Sequence, residues 1–93
     1  LKSKNYSPMN YDFYQLGVMY FEINNFKMAK KCFALQAKLN DFADNEYYFA
    51  KTLKATKDYK KASLSLGLAR RLFKDNKFLY DPYTHHFKNV YFN

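Results

Sequence analysis

The chain has 93 residues, which allow a single domain, residues 1–93. Two glycines in the whole sequence are too few for a phosphate-binding loop, and no stretch approaches the roughly 18–20 consecutive apolar residues that span a bilayer. The net charge of +8 is typical of proteins that bind an acidic partner, nucleic acid or anionic lipid. The AT-rich codons shared by Lys, Asn, Tyr and Phe would produce the same excess.

The two ends and the single cysteine say little about the compartment. Leu1 stands first instead of Met, so we interpret the chain as a fragment or a processed product. No basic-then-apolar signal segment opens it, and Cys32 is alone, which excludes an internal disulfide. We leave the compartment open, with the cytoplasm slightly favoured.

The first half of the sequence predicts two helices. Ser-Pro at 7–8 is typical of a helix start, because Ser caps the first turn and Pro suits the first helical position. Apolar residues then recur at helical spacing over 9–23. Two asparagines at 24–25 indicate a turn, and the helical pattern resumes over 26–39.

The second half predicts three more helices. The first covers about 44–56, and Lys-Asp at 57–58 forms a tight turn before a helix over 59–74. Asp-Pro at 81–82 indicates another helix start, which opens a short fifth helix that ends near the terminus. No segment alternates apolar and polar residues as a half-buried strand would. The sequence therefore predicts an all-α fold.

A repeat of 33 residues relates the two halves. The segments 25–29 and 58–62, with the sequences NFKMA and DYKKA, each end a turn and open a helix. Downstream, the spacing of Ala29 and Phe33 returns in Ala62 and Leu66. Upstream, the positions that correspond are Leu16, Gly17 and Tyr20 in the first unit and Phe49, Ala50 and Leu53 in the second. Such periodicity is typical of stacked helical repeats.

These residues resemble the tetratricopeptide repeat (TPR). The first unit follows the family pattern of an aromatic residue, Leu-Gly, Tyr, Ala and Phe with Phe13, Leu16, Gly17, Tyr20, Ala29 and Phe33. The second unit is more degenerate, and the resemblance covers about residues 10–76. It implies two antiparallel helix pairs in an α–α superhelix, with repeat 1 over about 10–42, repeat 2 over about 43–76 and a C-terminal capping helix over about 77–93.

Small residues explain why such pairs pack closely. Gly17 and Ala50 let the two helices of a pair approach, and Ala29 and Ala62 do the same from the partner helix. We expect the large residues of the first helix, Phe13, Leu16 and Tyr20, to fill the remaining space together with Phe33.

The resemblance also implies a binding groove, because the first helices of successive TPR units line a concave surface that holds peptides or proteins. The residues carried over to this groove are Tyr11, Tyr14, Val18, Phe21, Tyr47, Lys51 and Lys54. TPR proteins that bind the C-terminal carboxylate of chaperones use Lys and Asn on these helices. Tyr14 and Val18 stand at the corresponding places, which argues against a chaperone-tail receptor.

The first predicted helix is apolar nearly all round, which leaves two interpretations open. Such a helix is either buried or presents a binding patch. The C-terminal aromatic residues or a neighbouring repeat could cover its surplus face, and so could a bound partner or a second copy of the chain.

Other motifs favour ordinary structural roles. His85 and His86 point about 100° apart on a helix, and no further ligand lies at zinc spacing, so we predict no metal site. Cys32 has no evident base and is interpreted as a packing residue. Two basic clusters occur, Lys57, Lys60 and Lys61 and then Arg70, Arg71, Lys74 and Lys77. The second lies in the last turns of its helix, where cations interact favourably with the C-terminal dipole, and the alternative is a surface for an acidic partner or nucleic acid.

Together these features predict a non-catalytic protein–protein interaction module or scaffold segment without a cofactor. Its expected partner is a protein or peptide of acidic or aromatic character, with self-association as a further outcome. The alternatives are a structural spacer within a longer helical solenoid and, less favoured, a basic nucleic-acid-binding module. No paired carboxylates or nucleophile motif equip the chain as an enzyme.

Overall fold

Four α-helices form the part of the chain that the structure, a computed structural model, describes, residues 11–78. The helices are α1 (Asp12–Glu22), α2 (Phe26–Leu39), α3 (Ala43–Ala55) and α4 (Tyr59–Lys74). No strand occurs in this range, so the all-α prediction is confirmed there. The predicted Ser-Pro helix start, the C-terminal capping helix and the His85-His86 pair lie outside the described residues.

Three of the four helices follow the sequence closely, whereas α1 begins at Asp12 and ends at Glu22, inside the predicted range 9–23. Helices α2 and α4 have the predicted bounds, and α3 begins and ends one residue earlier than predicted. The earlier start of α3 has a tertiary cause. Phe42 is extended, and the backbone N–H of Ala43 donates to the carbonyl oxygen of Lys77 at 2.7 Å. That partner satisfies an N–H that would otherwise be unpaired at the first helical position.

Consecutive helices pack on one another: α1 on α2, α2 on α3, and α3 on α4. The connections over 23–25, 40–42 and 56–58 have three residues each. Because such short connections join antiparallel neighbours, each helix runs in the direction opposite to the one before it.

Three helices end in the same turn, with a left-handed residue just beyond the helix. These residues are Asn24, Lys57 and Asn76, with φ of 64°, 66° and 63°. In each turn the amide of the next residue donates to the carbonyl five positions earlier, at 2.8–2.9 Å, as in a Schellman motif. Asn24 and Lys57 stand 33 residues apart, so the sequence repeat returns as matching backbone geometry.

The core is built around Phe33 of α2, whose side chain is fully buried. Its ring lies against Gly17 of α1 so closely that a Cβ on Gly17 would be 2.6 Å from the nearest ring carbon. The ring of Tyr48 on α3 stacks on Phe33 with centroids 6.2 Å apart. Asn45 of α3 donates from Nδ2 to the Phe33 carbonyl at 3.0 Å. Phe33 therefore joins three helices.

Gln36 ties the end of α2 to the start of α1. Tyr11 precedes α1 without forming a side-chain cap, and the side-chain oxygen of Gln36 instead accepts the Tyr14 N–H at 3.0 Å. Its side-chain nitrogen donates to the Asn40 carbonyl, also at 3.0 Å. Gln36 is almost fully buried, which is tolerated because both of its polar ends are paired.

The glycine contact gives a stability prediction. We expect Gly17→Ala to lower the free energy of unfolding by about 1–2 kcal/mol, because overpacking against Phe33 exceeds the helix-propensity gain of alanine. The control is Gly67→Ala in α4, where an added Cβ meets nothing within 4 Å. It should raise stability by about 0.8–1.0 kcal/mol. Urea denaturation measures both, and a Gly17→Ala variant as stable as the parent would contradict the packing.

The turn at Lys57 gives a second prediction. Left-handed backbone costs a non-glycine residue roughly 1–2 kcal/mol, so Lys57→Gly should stabilise the chain by about 0.5–1 kcal/mol even though glycine loses more entropy on folding. Lys57→Ala removes the charge and keeps the strain, so it should have little effect. Thermal denaturation followed by circular dichroism separates them, and equal shifts of Tm in the two variants would show that charge is responsible.

Candidate partner-binding site

The seven residues predicted to line a groove differ widely in exposure. Tyr14 and Tyr47 are buried, with 4% and 5% of their surface exposed. Half-buried positions are Tyr11, Val18, Phe21 and Lys51, and Lys54 is exposed. The set therefore contains interior packing residues as well as surface residues.

Tyr14 belongs to the core, which corrects its assignment as a groove anchor. Its ring centroid lies 5.1 Å from that of Phe42 and 5.9 Å from that of Tyr48, both in edge-on geometry. Edge-to-face pairs of this kind add to the stabilisation from burial. A partner could reach this ring only by displacing α3 or the segment before it.

Part of α1 is also oriented differently from the sequence expectation, although Gly17 lies against α2 as expected. Tyr14 and Gly17 are buried against α2 and α3, whereas Phe13 and Leu16, expected to fill the pair interface, are partly exposed. Ile23, farther along the same face, is 69% exposed. The reason is that Phe33 needs the glycine side of α1, which turns the aliphatic face outward.

Two of the predicted residues, Phe21 and Tyr47, do lie around a third, Lys51. The ammonium nitrogen of Lys51 lies 5.2 Å from the ring centroid of Phe21, 5.4 Å from that of Tyr47 and 5.1 Å from that of Tyr48. Each distance is within the range of a cation–π interaction. This Lys51 cluster joins α1 to α3, and it holds one positive charge in a defined position.

An open pocket of about 250 Å³ adjoins the Lys51 cluster, between α3 and α4. From α3 it is lined by Tyr47, Ala50, Lys51 and Lys54. From α4 it is lined by Tyr59, Ala62, Ser63 and Leu66. The α3–α4 pocket thus contains three of the predicted groove residues and combines apolar walls with two cations.

The turn that joins α3 to α4 and the residues on either side of it are basic. Lys54 is followed by Lys57 in the turn and by Lys60 and Lys61 in the first turn of α4, and all four are exposed. Asp58 is the acidic residue among them and is half-buried. Cations grouped at one end of a helix pair attract negatively charged ligands at a distance.

Sequence reasoning missed Tyr48 and the α4 side of the pocket. Tyr48 follows Tyr47 and points about 100° away from it on the helix, so a groove-face assignment passes over it. Tyr59, Ala62, Ser63 and Leu66 follow spacings of three, one and three residues, which is one helical face. That spacing could have indicated a pocket wall, but it was interpreted only as packing between the two helices of the second pair.

An acidic pair, buried Glu46 and half-buried Asp41, lies near the start of α3. Glu46 is buried, and its pKa is raised to about 8 by burial, by a hydrogen bond to Asp41 and by the charge of Asp41, against a hydrogen bond from Ser65 that lowers it. The Asp41 Oδ1 atom already accepts the Phe42 N–H and the Asn45 Nδ2–H, each at 3.0 Å. Burial and the neighbouring Asp41 both favour the protonated form of Glu46.

The acidic pair predicts how stability depends on pH. Between about pH 4.5 and pH 8 folded Glu46 holds a proton that the unfolded chain has lost, so the unfolding free energy falls as pH rises through this window. One group contributes at most about 1.4 kcal/mol per pH unit. Glu46→Gln mimics the protonated form and should flatten the dependence. Chemical denaturation at pH 5, 6.5 and 8 measures it, and parallel profiles for the two proteins would contradict the assignment.

Other features of the described residues carry no chemistry of this kind. Cys32 is buried, and burial raises the pKa of its thiol, which keeps it protonated. Among residues 11–78, no His, Cys, Asp or Glu side chains gather in a group of three that could hold a metal ion. None of the helices in that range has the length and apolar character that crossing a bilayer requires.

Comparison with known proteins gives no relative from which a function could be proposed. No protein-family model, curated protein or solved structure matches the chain. The α3–α4 pocket and the Lys51 cluster are therefore the features from which a function has to be inferred.

Proposed function

We propose that the chain is a non-catalytic TPR-like interaction module that binds a segment of a partner protein in the α3–α4 pocket. The observation that carries this proposal is that Tyr47, Lys51 and Lys54, which the repeat pattern assigns to a binding groove, line one open pocket. Matching turns at Asn24 and Lys57 support the two-repeat interpretation.

The form of the pocket favours a peptide over a reaction. An open site with aliphatic and aromatic walls removes apolar surface of a ligand from water. The charged groups that line it are Lys51 and Lys54, and no carboxylate, histidine or cysteine is among its lining residues. The residue types that most often act as general acids, bases or nucleophiles are therefore missing from the lining, which favours holding a ligand.

A second candidate function is a structural spacer in a longer helical solenoid. Its support is the outward face of α1, where Met19 and Ile23 are 65% and 69% exposed and Phe13 and Leu16 adjoin them. Leu35 and Leu39 of α2 are also exposed. A further helical unit stacked on α1 and α2 would cover this face, as α3 covers the opposite side of the pair.

Peptide display tests the interaction function directly. A random twelve-residue library is selected against the purified chain, and the enriched peptides are measured against two variants by fluorescence anisotropy. Ser63→Phe places a ring in the α3–α4 pocket from an exposed position, so it should weaken binding about tenfold or more. Ala34→Phe makes a comparable change at an exposed site on α2 and should leave affinity within about a factor of two.

The outcomes separate the candidates. Enriched peptides that bind both variants equally would reject the pocket as the binding site. If no peptide is enriched, and the chain forms concentration-dependent oligomers that Ile23→Lys abolishes, the spacer function replaces the interaction function. Sedimentation equilibrium supplies that measurement.

A further inference from the structure

We propose that the partner segment recognised by the α3–α4 pocket is acidic and apolar at once: one bulky aliphatic or aromatic side chain flanked by a carboxylate. This inference rests on the proposed function and adds the chemistry of the ligand. The apolar side chain enters the pocket, and the carboxylate meets Lys51 and Lys54 at its edge.

The size and walls of the pocket select the apolar part. A volume of about 250 Å³ is below the roughly 300–1,000 Å³ of pockets that hold whole small-molecule ligands, so it suits one large side chain. Ala50, Ala62 and Leu66 offer aliphatic surface, and the ring of Tyr59 lies at the opening with 60% of its surface exposed. Tyrosine at such a position supplies contact area at a low entropic cost.

Lys51 supplies a cation that is already in position. Its ammonium group is held 5.1–5.4 Å from three ring centroids, and the residue lines the pocket. A lysine normally loses considerable rotamer freedom when it forms an ion pair. Because the rings already restrict Lys51, less of that cost remains to be met when a carboxylate binds.

Lys54 supplies the second cation, one helical turn farther along the same face of α3. It is exposed, so it can follow a ligand carboxylate without disturbing the core. With Lys57, Lys60 and Lys61 nearby and no acidic lining residue, the field at the opening favours acidic over basic segments.

The same lysines would attract nucleic acid, but the pocket favours a peptide. Single-stranded nucleic acid binds along a basic groove with several aromatic platforms for successive bases. Here the aliphatic surfaces of Ala50, Ala62 and Leu66 form a single recess beside one exposed ring, Tyr59. A side chain fits such a recess better than a run of stacked bases does.

Nuclear magnetic resonance of the ¹⁵N-labelled chain tests the proposal with four blocked heptapeptides. The reference peptide carries a central Leu with Glu on both sides in a Gly background, with acetylated and amidated ends. The others replace both Glu by Gln, both Glu by Lys, or the Leu by Ala. We expect amide shifts at Ala50, Lys54, Ala62 and Ser63 with the reference peptide. For each of the other three peptides we expect an affinity that is at least about tenfold lower.

Matched variants locate the carboxylate. Lys54→Gln should weaken the reference peptide about twofold to fivefold and leave the Gln peptide unchanged. Lys38→Gln, the same change at an exposed site near the end of α2, should alter neither. Lys51→Met removes the ammonium group and keeps an unbranched apolar side chain. Compared with the parent chain, this variant should show a smaller difference in affinity between the Glu peptide and the Gln peptide.

Several results would overturn the proposal. They are equal binding of the Glu and Gln peptides, shifts confined to amides outside the pocket, and no shifts at millimolar peptide. Displacement of the reference peptide by a fifteen-residue oligothymidylate at 0.15 M salt would assign the surface to nucleic acid. Display-selected peptides that bind in the α3–α4 pocket but carry no acidic residue beside an apolar one would leave the proposed function intact while rejecting this ligand chemistry.

Discussion

The contact between Phe33 and Gly17 is the constraint on which the rest of the structure depends. A fully buried ring lies where the side chain of any other residue would stand, so α1 can approach α2 only with its glycine side. That choice sends Tyr14 into the core and Ile23 outward. Tyr48 stacks on the other side of the ring, so the same contact determines where α3 and Lys51 lie. The position of the candidate site therefore depends on the core packing, because close-packed side chains link the two.

The two helix pairs use the same plan with different residues, and the pocket arises from the difference. The positions of Gly17 and Phe33 in the first pair are held by Ala50 and Leu66 in the second, 33 residues later. Phe33 is covered by α3, whereas Leu66 is half-buried and lines the α3–α4 pocket with Ala50. A smaller side chain at the equivalent place, without a following helix over it within residues 11–78, leaves about 250 Å³ open. The proposed ligand site is thus the space in the second helix pair that no residue of the described part of the chain, 11–78, occupies.

Helices and turns could be predicted from the sequence, because local signals dominate there. Apolar spacing and the turn residues at 24–25 and 57–58 placed α2 and α4 with their observed bounds. The approach of Gly17 to α2 was expected, but the burial of Tyr14 and the exposure of Phe13 and Leu16 could not be predicted, because the faces of α1 on both sides of Gly17 are apolar. The buried pairing of Glu46 with Asp41 and the Gln36 cap of α1 depend on residues distant in sequence or on burial, which no local pattern records. Among the residues assigned to the groove, Phe21 and Tyr47 lie around Lys51, while the third ring beside Lys51, that of Tyr48, was not part of that assignment.

The most direct test of the Phe33–Gly17 contact is the proton spectrum of Gly17 in the intact chain. A ring within van der Waals distance shifts the glycine α-protons and produces nuclear Overhauser effects to the ring protons of Phe33. We expect α-proton resonances displaced from their random-coil positions, with strong cross-peaks to Phe33 and weaker ones to its neighbours. Unshifted Gly17 α-protons without cross-peaks to Phe33 would show that α1 does not approach α2 through this face, and the assignment of the core and of the pocket beside it would fail together.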